Sequence, residues 1–107
     1  TRNRNRVIDK DQRQEYGLMA RYKMTKQEYD NLLISQGGGC SMCGLTPELN
    51  GQALSVDHDH SCCPGRNSCG NCVRGLLCSN HNLLLGMAND DVSILRKAID
   101  YLNHHAV

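Results

Sequence analysis

The chain has 107 residues, enough for one domain, and its aromatics are four Tyr with no Trp or Phe, which excludes a large apolar core as its main support. Small chains commonly recruit disulfides, a structural metal or a partner subunit instead, and seven Cys, an odd number, with five His favour metal over complete internal pairing. The net charge of +1 conceals an asymmetry: residues 1–26 carry eight of the twelve Lys and Arg against three acids, so the remaining 81 residues are net negative.

The opening TRNRNR, residues 1–6, is a basic arm suited to an anionic partner such as nucleic acid, with a solvated, frayed terminus as the competing reading. Residues 9–20 are polar and compatible with a helix. Thr25 followed by Glu28 is a capping box, and Tyr29, Leu32 and Leu33 form the stripe of a short amphipathic helix that ends before Gly37-Gly38-Gly39. These glycines lead into CSMCG, residues 40–44, which has the tight-turn chemistry of a zinc knuckle. Pro47 and Asn50-Gly51 signal a turn. ALSVDHDH, residues 53–60, then reads as a strand with Leu54 and Val56 on one face. A loop, SCCPGRNSCGNC, precedes a second short strand, VRGLLC, and a helix, SNHNLLLGM, beginning near Ser79. Asp90 or Asp91 can cap a final helix running to about Asn103, whose stripe of Leu95, Ile99 and Leu102, extended by Val92, suits core or a dimer contact.

Two constellations carry chemistry. Cys40 and Cys43 form CxxC and Cys78 and His81 form CxxH, with 34 residues between the pairs. Zinc prefers four tetrahedral sulfur or nitrogen ligands, and a two-residue spacer aims both side chains of a half-site at one ion. A closed structural zinc site is the reading, with disulfides or free thiols as alternatives. The second constellation is Asp57, His58, His60 and Asn82. Strict alternation puts Asp57 and Asp59 on one strand face and His58 and His60 on the other, so a site using both Asp57 and His58 needs the strand to bend or end there. Asn82 lies one helical residue past His81 and so points about 100° away from that zinc ligand. Oxygen ligands from Asp57 and Asn82 describe a magnesium-type centre, beside which a neutral His58 can deprotonate a water for phosphodiester hydrolysis. The competing reading is a set of polar side chains that only hydrogen-bond the loop.

Cys62, Cys63, Cys69 and Cys72 remain in the loop between the strands. A second structural zinc, one disulfide and free thiols all stay open, and His60 or water can complete a site that two adjacent Cys fill poorly. Arg66 and Arg74 are the arginines outside the amino-terminal region best placed for phosphate contacts, although Arg74 can equally pair with Asp59.

CSMCG at 40–44, LSVDHDH at 54–60, VRGLLCSNHN at 73–82, Gly86 and a closing helix with AIDYL together resemble the recombination endonuclease VII family. RYKMTKQEYDNLLISQGGGC is similar to its lead-in, and the resemblance covers roughly residues 16–102. That family lies within the His-Me finger (ββα-metal, HNH-like) superfamily. The resemblance implies a small α+β fold with a zinc-stabilised ββα-metal core and flanking helices. It implies that Asp57 and Asn82 hold the catalytic Mg2+ or Mn2+, that His58 is the general base, and that His60 positions phosphate or supports His58. Cys40, Cys43 and Cys78 match three structural zinc ligands; His81 stands where the family commonly has a fourth Cys. The expected organisation is a basic arm and helix over residues 1–24 and one nuclease domain over 25–107. The expected activity is a DNA endonuclease, nicking or junction-resolving, that leaves 5′-phosphate and 3′-hydroxyl ends. The alternative is a zinc-stabilised DNA-binding module without chemistry. A redox protein using its CxxC pairs lacks the expected strand and helix context. No apolar run approaches a membrane span and the amino terminus does not resemble a signal peptide, so the expected setting is the cytoplasm of a bacterial or phage-infected cell. The founding enzyme is a dimer, which leaves a homodimer open here.

Overall fold

The computed structural model describes residues 10–106, so the arm at residues 1–6 and the first residue of the expected 9–20 helix lie outside the described residues. Five helices and two strands follow in the order α1 (Lys10–Tyr22), α2 (Lys26–Ser35), α3 (Pro47–Asn50), β1 (Ser55–His58), β2 (Val73–Leu77), α4 (Ser79–Met87) and α5 (Val92–His104). This is a small α+β arrangement around a two-stranded antiparallel sheet. Among the described residues, no helix is long and apolar enough to cross a membrane.

Local chemistry sets these boundaries. At α2 the expected capping box forms: the Thr25 hydroxyl accepts from the Glu28 N–H at 3.1 Å, and the Glu28 carboxylate accepts from the Thr25 N–H at 2.9 Å. These bonds from Thr25, led by its backbone N–H, hold the Glu28 carboxyl below its usual range. The turn read at 47–51 is instead a single helical turn, α3, with Thr46 as N-cap, Pro47 at the start and Gly51 at φ 82° closing it. Asp91, not Asp90, caps α5 by accepting from the Ser93 N–H at 2.8 Å.

The core is small, as the composition requires. Leu18, Met24, Tyr29, Leu54, Val56, Leu76 and Leu77 pack with Cys40 and Cys78, so two of the expected zinc ligands are core residues. Tyr29 donates its hydroxyl to the Leu54 carbonyl at 2.7 Å, tying α2 to the lead-in of β1. Gln36, just beyond α2, accepts from the Leu76 N–H at 2.8 Å and donates to the Leu76 carbonyl at 3.0 Å. Ser41 N–H donates to the same carbonyl, so the 40–44 knuckle is docked on β2. By contrast α5 has no buried residue, and Ile99 and Leu102 are exposed, which removes the core option for that stripe.

The expected strand over 53–60 is shorter than its sequence pattern because pairing changes inside it. Val56 faces Leu76 and Asp57 faces Gly75, but His58 faces Val73, so β2 carries one extra residue, Arg74, opposite the Asp57–His58 step. Such a bulge re-aims neighbouring side chains, and it supplies the bend that a site using both Asp57 and His58 requires.

Candidate functional site and metal centres

Cys40, Cys43, Cys78 and His81 converge with their donor atoms all within 4.8 Å of one another. Zn–S bonds of about 2.3 Å and Zn–N bonds of about 2.0–2.1 Å imply tetrahedral edges of roughly 3.4–3.8 Å. Here Cys43 Sγ lies 3.8 Å from Cys78 Sγ, and His81 Nδ1 lies 3.2 Å from Cys78 Sγ and 3.9 Å from Cys40 Sγ. The donor set therefore fits zinc. The sequence builds it from two local devices. In the first half-site the Gly44 N–H bonds the Cys40 carbonyl and the Met42 N–H points at Cys40 Sγ at 3.4 Å. That turn admits only glycine at 39, where an added Cβ would lie 2.2 Å from the Gly44 carbonyl oxygen. In the second, Cys78 is the N-cap of α4, placing its sulfur and His81 at the positive end of the helix. Burial opposes ionisation of Cys40, but N–H groups of Cys78, Cys43 and Met42, with the His81 ring, outweigh it and bring the thiol to about 6.

A separate cleft of about 560 Å³ opens on the other side of α4's first turn, bordered by Asp57, His58, His60, Asn82 and Asp90 with Arg21, Tyr22 and Arg66. The four residues expected to act together are thus brought to one cleft, while His81 stays with the cysteines. His58 is 4% exposed, and its Nε2 lies 3.0 Å from the Cys63 carbonyl oxygen. A carbonyl only accepts, so Nε2 carries the hydrogen and Nδ1 keeps the basic lone pair. The His60 ring stands 4.4 Å from that of His58, centre to centre, and its Nδ1 is 3.0 Å from Asp90 Oδ2.

Asp57 is buried, and its carboxylate is gripped at both oxygens by Arg74, with Nε to Oδ2 at 2.7 Å and Nη2 to Oδ1 at 2.9 Å. Arg74 also reaches Asp90 Oδ2 at 3.2 Å. The Arg74–Asp59 pair, the alternative to a phosphate contact in the sequence reading, does not form, because the bulge sets Arg74 against the Asp57–His58 step, within reach of the Asp57 carboxylate. Asp59 instead accepts from the Ser61 N–H at 2.8 Å, closing the turn after the strand. Asp90 is the partner that sequence reasoning missed. Its carboxyl is held below the usual range first by His60, then by Arg74. Both Asn89 and Asp90 adopt left-handed φ, 53° and 56°, and the only sequence cue was the tolerance of Asn and Asp for that conformation.

The loop cysteines also converge. Cys62, Cys63, Cys69 and Cys72 bring their sulfurs within 4.8 Å of one another, a second site able to bind zinc, and His60 is not among its donors. Ser68, 4% exposed, anchors the loop to the end of α1 by donating its N–H to the Arg21 carbonyl. This contact had no sequence signal, nor did the place of Arg21 and Tyr22 in the cleft wall.

The sequence matches the family model described as recombination endonuclease VII over residues 15–104. It is 41% identical over 91 residues to the Gene 59 protein of Mycobacterium phage D29, covering 82% of this chain and 48% of that protein. Against the Gene 59 protein of Mycobacterium phage L5 the identity is 38% over 91 residues, covering 82% and 49%. The chain spans about half the length of these curated relatives. No solved structure matches it. The matched span begins in α1 and ends in α5, so it takes in the cleft and both cysteine clusters as one unit. On that match, the chain belongs to the recombination endonuclease VII family.

Proposed function

We propose that the chain is a metal-dependent DNA endonuclease domain of the His-Me finger (ββα-metal) type, hydrolysing phosphodiester bonds in a nicking or junction-resolving reaction. The observation that carries this reading is the buried His58, whose Nε2 is committed to the Cys63 carbonyl and whose Nδ1 is left basic in a cleft shared with Asp57 and Asn82. In that role His58 Nδ1 takes the proton of the attacking water. Asp57 and Asn82 would hold Mg2+ or Mn2+ with hard oxygen donors; a carboxylate offers about four lone-pair sites, and Arg74 uses two of those on Asp57. A divalent cation bound there supplies charge for a non-bridging phosphate oxygen and for the leaving 3′-oxygen. Arg66 and Arg21, on the cleft wall, give phosphate-binding guanidinium groups, and His60, braced by Asp90, is a second imidazole facing the same space. The first zinc cluster fastens the 40–44 knuckle to α4 and so fixes the helix that carries Asn82.

The proposed organisation is the basic arm and helix of residues 1–24 followed by the nuclease domain of 25–107, α1 lending Arg21 and Tyr22 to the cleft. The uncovered apolar side of α5 supports a homodimer. The test is incubation with supercoiled, linear and four-way-junction DNA, with and without magnesium. Magnesium-dependent cleavage is expected, and His58→Ala is expected to lower its rate about 10²–10⁴-fold. A His58→Ala protein that folds, keeps its zinc and cuts at the wild-type rate would remove the proposed base. Binding without cutting in every arm would leave a DNA-binding module.

A further inference from the structure

We propose that Cys62, Cys63, Cys69 and Cys72 hold a second zinc ion as a tetrathiolate, and that this ion positions His58 through the Cys63 carbonyl. The positioning half rests on the nuclease reading above, whereas the metal site does not.

A few hydrogen bonds tie the loop at its base and at Ser68, but no apolar packing holds its shape. Among residues 61–72 only Ser68 is buried, and the rest of the segment is Cys, Pro, Gly, Asn, Arg and Ser without an apolar anchor. Ordering such a segment costs about 1–2 kcal/mol of backbone entropy per residue, and four thiols in mere contact do not offset that. Metal coordination does, and the donor geometry suits it. Cys62 Sγ lies 3.9 Å from both Cys69 Sγ and Cys63 Sγ, close to the roughly 3.8 Å edge of a zinc–sulfur tetrahedron.

Adjacent cysteines normally diverge, and here a turn brings them round. The N–H groups of Cys62 and Cys63 both donate to the Asp59 carbonyl at 3.1 Å, curling the chain so that both sulfurs face the Cys69–Cys72 pair. The two pairs are also joined directly: the Cys69 N–H points at Cys63 Sγ at 3.3 Å, and Gly70, at φ 94°, turns the chain between Cys69 and Cys72. Asp59 N–H donates to the Cys72 carbonyl at 2.9 Å and closes the base of the loop. Four soft sulfur donors in this arrangement select zinc over the harder divalent cations.

One ligand of this cluster is also the residue that sets the state of the base. The Cys63 carbonyl is the acceptor that keeps hydrogen on His58 Nε2, so anchoring the Cys63 sulfur fixes the carbonyl and thereby leaves Nδ1 basic. Gly65 and Arg66 lie between the two cysteine pairs and border the same cleft, so the same ion holds their stretch of wall in place.

The test counts metal and reads the imidazole independently of cleavage. Protein purified without added zinc is weighed by native mass spectrometry, as wild type and as the Cys69→Ser/Cys72→Ser variant. Two zinc ions in the wild type and one in the variant are expected. In the variant the ¹⁵N shifts of His58 should lose the pattern of a single Nε2-protonated tautomer, and the cleavage rate should fall about 10–100-fold. One metal ion in the wild type, iron in place of zinc, a mass deficit of a disulfide, or two ions retained by the variant would each overturn the site. An unchanged His58 tautomer in a one-zinc variant would overturn the positioning. Should the variant fail to fold, mercurial titration of the wild type decides, since release of two zinc equivalents supports the site and release of one overturns it. Two zinc ions in a protein that cuts no DNA would sink the nuclease reading and leave the metal site standing.

Discussion

Replacing Arg74 by Ala removes the two hydrogen bonds to Asp57, at 2.7 and 2.9 Å, and the one to Asp90 at 3.2 Å. The losses differ because the acids differ in exposure. The Asp57 side chain is 8% exposed and would lose the guanidinium paired with it, whereas Asp90 is 22% exposed and retains His60. Breaking a fully buried ion pair costs about 3–5 kcal/mol, and hydrogen bonds to charged groups contribute about 1.5–3 kcal/mol each. The Arg74 side chain is itself 39% exposed, so water already screens part of the interaction, and about 2–3 kcal/mol is the expected loss. With a urea slope of about 1–3 kcal/mol per molar, the unfolding midpoint should fall by about 0.7–3 M. Free zinc must be held constant, since zinc binding stabilises the folded state by mass action. Combining Arg74→Ala with Asp57→Asn should cost less than the sum of the two, with a coupling of about 2 kcal/mol. An unchanged midpoint in Arg74→Ala would refute the ion pair, and lost cleavage with that unchanged midpoint would move Arg74 to the phosphate.

Three further outcomes follow from the same structure. Gly39→Ala drives a Cβ to 2.2 Å from the Gly44 carbonyl oxygen, which a backbone turn cannot accommodate; a loss of about 1–3 kcal/mol and weaker zinc binding are expected, and zinc affinity equal to wild type would contradict the tight turn. Chelation of zinc should abolish the helical circular dichroism and re-addition should restore it, because Cys40 and Cys78 are core residues; a signal that survives complete chelation would show that the core stands without metal. Asp90 has a depressed folded-state pKa, so its contribution is present above the unfolded value near 3.9 and is lost as pH falls through the folded one. Asp90→Asn should therefore be less stable than wild type at pH 6, with the gap closing below about pH 4; a gap that persists at pH 2 would mean the carboxylate charge is not its source.

What could be read from the residues was what depends on local spacing. CxxC and CxxH announce a metal half-site because two ligands on one turn meet without help from the rest of the chain, and Thr25 with Glu28 fixes a helix start in the same way. The segment Thr46-Pro47-Glu48 ahead of Gly51 held all the signals of a helical turn, yet four residues are too few to show a period. Alternation placed Asp57 and His58 on opposite faces, and only the pairing with β2 reveals the extra residue that brings them to one cleft. The loop showed its four cysteines but not their arrangement, which depends on the Asp59 turn and on Ser68 reaching α1. Asp90 was one of two candidate caps for α5, a place that Asp91 takes, and proved instead to be the shared acceptor for His60 and Arg74, since its orientation comes from two successive left-handed residues that no spacing rule encodes.

Gln36 has a consequence beyond joining α2 to the sheet. A two-stranded sheet has open edges, and an open edge invites a strand from another molecule. The Leu76 N–H and carbonyl are both engaged by one carboxamide, with Ser41 N–H sharing the carbonyl. A primary amide offers a donor and an acceptor side by side, as a neighbouring strand's backbone would, so Gln36 acts as a one-residue false strand. It closes the middle of β2 to edge-to-edge growth without the added chain length that a third strand demands.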